Sequence, residues 1–226
     1  MKTIRYFLFV FILFIPSISN SHNAKKYYKT GQEFVASGNY KDAVDQFTKA
    51  IDLQPDFSNA YLARAAAFEK LNMLKEASED YDRASTFESN NTDVFYQAAR
   101  LSYLLGDYQK AIEKADASIL LKKTNPDGYV IKAKSLMSLG RFEEALATSN
   151  SALTLKETSE NFYLRGLINK ELGRFGPAED EFLKTVSKDP RQVSTYISLA
   201  ELRLELNKMA FALSHVNRAI ELDPNN

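Results

Sequence analysis

Apolar and small residues recur along this chain with a period of 33 or 34 residues. An aromatic residue occupies the same slot six times, at Tyr27, Tyr61, Phe95, Tyr129, Phe162 and Tyr196. Four positions later stands a small residue, at Gly31, Ala65, Ala99, Ala133, Gly166 and Ala200. Sixteen positions after each aromatic stands alanine, at Ala43, Ala77, Ala111, Ala145, Ala178 and Ala212. A period of this length is typical of stacked repeat arrays, in which neighbouring repeats bury each other's apolar faces.

The period divides residues 24–226 into six repeats, and only the fourth is one residue short. These are 24–57, 58–91, 92–125, 126–158, 159–192 and 193–226. Each repeat has two stretches with helical spacing of apolar residues, which in repeat one run roughly Lys25–Ser37 and Lys41–Leu53. The break between them, at repeat position 15, is always Gly or Asn: Gly38, Asn72, Gly106, Gly140, Gly173 and Asn207. Because these two residue types enter the left-handed region most cheaply and end helices, each repeat is predicted to be a helix hairpin.

The recurring positions of repeat one are occupied by Tyr27, Gly31, Phe34, Gly38, Tyr40, Ala43, Phe47, Ala50 and Pro55. This pattern resembles the tetratricopeptide repeat (TPR) family over residues 24–226. The resemblance implies an all-α fold, a right-handed α-solenoid of six TPR-like helix–turn–helix repeats, and a protein-binding function that needs no cofactor. The chain departs from the family at repeat position 11, where a large residue is replaced by Ser102, Asn169 and Arg203.

The first 21 residues have the pattern of a secretory signal peptide. Lys2 and Arg5 precede an apolar run over residues 6–15, and a small-residue stretch follows in which cleavage after Ser19 or Ser21 is expected. The alternative is an uncleaved anchor, although this run is short for crossing a bilayer. We therefore expect export, to a bacterial periplasm or cell exterior first and to the lumen of the endoplasmic reticulum second. His22, beside the expected cleavage point, is predicted to be disordered.

The composition argues against several classes of function. The chain has 29 basic and 29 acidic residues without a long basic run, which disfavours binding to nucleic acid. It has no cysteine, so it forms neither a disulfide nor a thiolate metal site. Its two histidines, His22 and His215, stand in no spacing typical of a metal site or a nucleophile–base pair. We predict that the protein is not an enzyme and has no small-molecule substrate, cofactor or metal.

By resemblance, repeat positions 2, 5, 6, 9, 12 and 13 face the concave groove of a TPR array. The residues predicted to bind a partner there are Tyr28, Leu62, Tyr96, Arg100, Tyr103, Val130, Ile131, Lys134, Met137, Tyr163, Leu164, Leu167 and Ile197. They form an apolar and aromatic track with two cations, Arg100 and Lys134, near its middle. Such a track suits an extended peptide or a helix with an acidic residue among apolar ones. The alternative is that several of these side chains only pack helices together.

Some family members clamp a C-terminal carboxylate through a set of lysine, arginine and asparagine residues at fixed repeat positions. In repeats one to three the equivalent positions hold Tyr28, Gln32, Ala63, Asp93 and Gln97, so the donors that this recognition needs are missing from these three repeats.

The last repeat is apolar where a terminal repeat is expected to be polar. Its apolar residues are Leu199, Leu202, Leu206, Leu213, Val216 and Ile220. Cover by a partner, self-association through this repeat, or a further segment of a longer protein would each account for them. The favoured function is an exported scaffold that binds a partner in its groove. The alternatives are a chaperone-like holder of unfolded clients and the targeting arm of a longer multidomain protein.

Overall fold

The computed structural model describes residues 18–224, which form twelve helices and no strands. The odd-numbered helices are the first of each repeat: α1 Ile18–Ala36, α3 Ser58–Lys70, α5 Thr92–Leu104, α7 Pro126–Ser138, α9 Ser159–Glu171 and α11 Val193–Glu205. The even-numbered helices are the second: α2 Tyr40–Leu53, α4 Leu74–Phe87, α6 Tyr108–Leu121, α8 Phe142–Leu155, α10 Phe175–Lys188 and α12 Met209–Leu222. The fold class is the predicted one, an all-α solenoid of helix–turn–helix repeats.

The helices belong to two compact bodies, and the boundary falls inside repeat two. The first body ends at Met73 and contains α1, α2 and α3; the second begins at Leu74 and contains α4 to α12. Within each body, consecutive helices pack against each other, and each odd-numbered helix also contacts the next odd-numbered one. We call the surface formed by α1 and α3, or by α5, α7, α9 and α11, the first-helix face of that body.

The turn inside each repeat has the predicted left-handed residue. Asn72 and Asn207 have φ of 59° and 56°, and the four glycines at the same position have φ between 69° and 80°. The next residue donates its N–H to a carbonyl five residues back, as Asn39 does to Phe34 at 2.9 Å. The same bond closes all six turns, and it satisfies a carbonyl at the helix end. The first helix of all six repeats therefore ends by one shared mechanism.

Small residues allow the two helices of a hairpin to approach closely. The six predicted alanines at repeat position 20 are all buried, and none is more than 2% exposed. At position 8, glycine occurs only in repeats one and five, the two repeats that have phenylalanine at position 24. A Cβ on Gly31 or Gly166 would lie 2.5 Å from Cε1 of Phe47 or Phe182, respectively. The glycine therefore makes room for the ring.

The polar departures from the family pattern at position 11 lie inside the packed array. The side-chain amide of Asn169 is buried and donates to the carbonyl of Arg165 at 3.0 Å. Arg203 forms an ion pair with Glu179 and lies over the ring of Phe211, 5.4 Å from its centroid. Ser102 is buried, and its hydroxyl has no hydrogen-bond partner in the part of the chain that the structure describes. Two of the three polar replacements are thus held by specific partners.

The first helix begins earlier than the sequence pattern predicts. It starts at Ile18 instead of Lys25, and Ala24 is fully buried within it. His22 lies in this helix with an exposed side chain, so the expectation that it is disordered is wrong. The predicted cleavage points after Ser19 and Ser21 fall in the first turn of α1, and the rest of the predicted signal peptide lies outside the described residues. Between residues 18 and 224, no helix is long and apolar enough to cross a membrane.

We predict that Gly166→Ala destabilises the protein. The new methyl group at 166 would lie 2.5 Å from the ring of Phe182, which is fully buried. Overpacking of this kind costs about 1–3 kcal/mol, against a gain of roughly 1 kcal/mol in helix propensity. Urea denaturation followed by circular dichroism measures the variant.

The substitution Phe182→Leu tests whether the ring of Phe182 causes this destabilisation. If the steric argument holds, Gly166→Ala costs much less in the Phe182→Leu background than alone, because the ring that it meets is gone. Equal costs in the two backgrounds would contradict it.

Candidate functional site on the first-helix face

Three of the thirteen predicted groove residues are buried in the core. Val130, Ile131 and Leu164 are only 8%, 7% and 3% exposed. Val130 and Leu164 belong to a cluster centred on Leu136 and Ile168, while Ile131 packs with other buried residues between α5, α6 and α7. Leu164 therefore supports the face from beneath and is not available to a ligand, whereas Val130 and Ile131 keep a small exposed part that lines a cavity on this face.

The other ten predicted residues keep part of their surface in solvent. Nine are half-buried: Tyr28, Leu62, Tyr96, Arg100, Tyr103, Lys134, Met137, Tyr163 and Leu167. Ile197 is 37% exposed. Tyr28 and Leu62 lie on the first body and the remaining eight on the second, so each body has its own set. Their part in binding a partner stays a prediction.

The tyrosines of this face are held by contacts with neighbouring side chains. The ring of Tyr28 packs against Phe47 and Phe57, at centroid distances of 5.7 and 5.1 Å. The ring of Tyr163 packs 5.8 Å from Phe182, and its hydroxyl lies 3.2 Å from the hydroxyl of Ser198. Aromatic pairs in tilted geometry are favourable, and a ring held in advance loses little entropy on binding. These tyrosines are therefore preorganised for contact.

The two predicted cations are engaged by neighbouring side chains. Lys134 Nζ lies 2.6 Å from Glu160 Oε1, and Arg100 Nε donates to Gln97 Oε1 at 2.8 Å. Lys134 is thus paired with a carboxylate, whereas the printed contact of Arg100 is with a neutral amide, and the surface is mixed in charge.

A row of acidic residues accompanies these cations, and our sequence analysis missed it. Repeat position 2 is acidic in three successive repeats, at Asp93, Asp127 and Glu160. Since position 2 is one of the positions expected to face the groove, the signal was present in the sequence. On the same face, Lys170 Nζ lies 2.6 Å from Glu201 Oε2. Ion pairs between successive first helices are thus a repeated feature of the second body.

A cavity of about 290 Å³ opens at the middle of this face. Its lining consists of Tyr96, Pro126, Asp127, Val130, Ile131, Lys134, Lys156, Thr158, Ser159, Glu160 and Asn161. Burial raises the pKa of Tyr96, the nearby carboxylate of Asp127 raises it further, and Arg100 acts in the opposite direction. Tyr96 is therefore a neutral hydroxyl at physiological pH, available as a hydrogen-bond donor and acceptor.

No group of three or more acidic or histidine side chains able to hold a metal ion occurs among residues 18–224. His215, on α12, has its ring 6.5 Å from that of Tyr196. Burial lowers its pKa, and the positive charge of Arg203 lowers it further. His215 is thus a half-buried residue that packs beside Tyr196.

The helix α12 carries an exposed apolar stripe. Met209, Leu213, Val216 and Ile220 are 70%, 59%, 38% and 53% exposed. Their spacing of four, three and four residues places them on one side of the helix. Residues at the same repeat positions in α6, α8 and α10 include Ile112, Leu153 and Phe182, all buried. In those repeats the following odd-numbered helix packs against the even-numbered one.

Two family models match parts of this chain. The model of the family described as "TPR repeat" matches residues 31–72, and that described as "Anaphase-promoting complex, cyclosome, subunit 3" matches residues 70–152. An uncharacterized protein of Methanocaldococcus jannaschii is 37% identical over 60 residues, which are 26% of this chain and 70% of that protein. This chain belongs to the TPR repeat family.

Solved structures agree with this assignment. A tetratricopeptide repeat protein from Parabacteroides merdae superposes with a TM-score of 0.78 and 17% identity, over 88% of this TPR chain and 80% of that one. A chain from the crystal structure of the APC/C hetero-tetramer Cut9–Hcn1 gives a TM-score of 0.68 and 16% identity, over 90% of this chain. This TPR chain spans only 40% of the length of that structure's chain. At these identities the similarity establishes the fold.

We predict that His215 has a folded-state pKa below 6.5 and that protonating it destabilises the protein. Because burial and Arg203 disfavour the imidazolium in the folded state, the unfolded chain binds the proton more tightly. The free energy of unfolding should therefore fall as the pH drops through and below the unfolded pKa of about 6.5. Nuclear magnetic resonance titration of the histidine signals measures the pKa, and denaturation at pH 7.5 and pH 5.5 measures the stability.

His215→Gln serves as the control for this experiment. The variant should lose the part of the pH dependence between these two values that comes from His215. An unchanged dependence would show that other groups cause it.

Proposed function

We propose that this TPR protein is an interaction scaffold that binds a partner protein or peptide along its first-helix face. The observation that carries the proposal is a set of half-buried tyrosines that pack against neighbouring side chains in the two bodies: Tyr28, Tyr96, Tyr103 and Tyr163. Tyrosine is favoured at interfaces because it buries a large area with few rotatable bonds. The membership of the TPR family and the hetero-tetrameric assembly named for the Cut9–Hcn1 structure support a binding role.

The ion pairs on the second body would fix the position at which a partner binds along the face. Lys134 pairs with Glu160 and Lys170 with Glu201, so both charges of each pair are already close together on the face. A partner with alternating acidic and basic residues beside its apolar anchors would form ion pairs with these side chains, in place of the pairs that they form with each other. Such exchange contributes more to specificity than to affinity. The sequence predicts a partner with an acidic residue among apolar ones, and this proposal adds basic residues to that partner.

We also propose that the protein acts outside the cytosol, in a bacterial periplasm or at the cell exterior. The support is the sequence of residues 1–21, with its basic start, apolar run and small residues. Partner searches are therefore best made with extracts of the cell envelope.

We predict that Lys134→Glu weakens partner retention and that Lys132→Glu does not. Both lysines lie on α7, both form an ion pair at 2.6 Å, and both side chains are 27% exposed. Lys134 pairs across the first-helix face, whereas Lys132 pairs with Asp116 on α6. Affinity purification of each tagged variant from an envelope extract, followed by mass spectrometry, compares the bound proteins.

Circular dichroism must show equal folding of the two variants. A small set of partners lost only with Lys134→Glu supports the scaffold. Many unrelated clients bound by all forms would indicate a holder of unfolded proteins, and equal loss with both variants would place the site elsewhere.

We propose a second role, self-association through the exposed stripe of α12. The residues beside the stripe are Ala210 and Asn217 on one side and Ala212 and Ala219 on the other, all uncharged. Charges at such flanking positions normally select or exclude partners in helix pairs. Without charges of like sign, nothing opposes the packing of two copies of α12 about a two-fold axis.

We predict that the purified protein dimerises and that Leu213→Glu with Ile220→Glu makes it monomeric. The two glutamates would place charges in the centre of an apolar interface. Sedimentation velocity over a range of protein concentrations measures the association. Leu204→Glu is the control, because Leu204 is similarly exposed, at 46%, but lies on α11. A monomeric wild-type protein at all concentrations would rule out this role.

A further inference from the structure

The first body contains a cavity that is separate from the predicted groove residues. It has a volume of about 330 Å³ and is lined by Gln32, Val35, Tyr40, Phe47, Ala63, Ala66, Ala67 and Lys70. Five of these occupy repeat positions 6, 9, 12 or 13, which are expected to face a partner: Gln32, Val35, Ala63, Ala66 and Lys70. The cavity therefore opens on the first-helix face between α1 and α3, with Tyr40 and Phe47 of α2 at its lining.

Three alanines on α3 create this cavity. Ala63, Ala66 and Ala67 stand at repeat positions 6, 9 and 10, and no other repeat has alanine at all three. At positions 9 and 10 the other repeats have larger residues, such as Arg100 and Leu101 or Leu167 and Ile168. Where those repeats place a long side chain, repeat two leaves a space.

The floor of the cavity is rigid. Phe47 is fully buried and Ala67 is 1% exposed. The ring of Phe47 fills the space beside Gly31, where a Cβ would lie 2.5 Å away, and it packs against Tyr28. Side chains packed this closely do not collapse into a neighbouring void. The space is therefore preformed, which is a common property of binding pockets.

The rim of the cavity is positive. Lys70 is exposed and, among the residues that the structure describes, its ammonium group forms no ion pair or hydrogen bond. The other long polar side chain, Gln32, donates its amide to the hydroxyl of Tyr28 at 3.1 Å. One exposed cation therefore stands beside an apolar space, and it would attract a carboxylate placed next to whatever fills that space.

A small polar metabolite does not suit this cavity. Pockets that orient such ligands direct several polar groups at them, whereas the lining here is mainly alanine, valine and aromatic carbon with Lys70 at the edge. A side chain from a bound polypeptide fits better, because the cavity opens on the same face as Leu62 and the preorganised Tyr28.

We propose that this cavity is an anchor pocket for one bulky apolar side chain, of leucine or phenylalanine size, in a partner segment with an acidic residue next to it. The proposal rests on the proposed scaffold function and adds the chemistry of the partner. The apolar side chain would cover Ala63, Ala66 and Val35, and the carboxylate would pair with Lys70. Burial of the apolar side chain supplies most of the affinity, since exposed ion pairs contribute little.

The pocket can be tested with short peptides of defined sequence. The probe is the tetrapeptide Ala-Leu-Asp-Ala, acetylated and amidated at its ends, compared with Ala-Ala-Asp-Ala and Ala-Leu-Lys-Ala. Nuclear magnetic resonance titration of the full chain, with labelled alanine and valine methyl groups, reports binding at Ala63, Ala66, Ala67 and Val35. We expect shifts at these methyl groups with the first peptide, about tenfold weaker binding without the leucine, and roughly two- to fivefold weaker binding with lysine in place of aspartate.

Two variants and a matched control complete the test. Ala66→Leu should fill the cavity and weaken peptide binding about tenfold or more, whereas Lys70→Glu should abolish the preference for aspartate over lysine. Ala147→Leu, an exposed alanine on α8, should change neither. Shifts of the same size in Ala66→Leu, or no shifts at these methyl groups in the wild type, would overturn the proposal.

Failure of this proposal is distinguishable from failure of the scaffold function. If affinity purification still retains partners with Ala66→Leu and Lys70→Glu, the face binds proteins but this cavity is not an anchor. If no partner is retained by the wild-type protein while the peptide binds in the cavity, the pocket exists and the scaffold role fails.

Discussion

The close approach of the two helices of a hairpin, in the hairpins that lie within one body, is the constraint on which the rest of the structure depends. It requires small residues at repeat positions 8 and 20, and where position 24 is phenylalanine it requires glycine at position 8, as with Gly31 and Phe47. Because helices of about 13 residues are marginal alone, this contact also supplies much of the stability of these hairpins. Within each body, this packing brings successive first helices into contact.

The same packing that stabilises the repeats also orders the tyrosines of the first-helix face. Phe47 and Phe182 fill the interior of their repeats, and each also supports a tyrosine of the face, Tyr28 or Tyr163. The exposed tyrosines of the first-helix face are therefore packed directly on the core, and their side chains are already ordered by folding.

The two bodies differ in the chemistry of this face. The first combines an apolar cavity with an exposed cation, Lys70, whereas the second has acidic residues at position 2 and ion pairs such as Lys134 with Glu160. Within one repeat architecture, residues at positions 2, 9 and 13 differ in size and charge between repeats, whereas position 6 is buried in repeats four and five. That variation is how a repeat fold acquires a specific partner.

The sequence by itself determined the repeat period, the helix hairpins and their turns, because steric demands on Gly38 or Asn72 and on Ala43 apply locally and recur six times. It predicted which repeat positions face a partner, but not which of those side chains are buried or form ion pairs. Only the tertiary structure decided that Val130 and Leu164 are buried, since burial depends on neighbouring helices that are distant in sequence. The same holds for the pairing of Lys134 with Glu160, 26 residues apart, and for the cavity between α1 and α3.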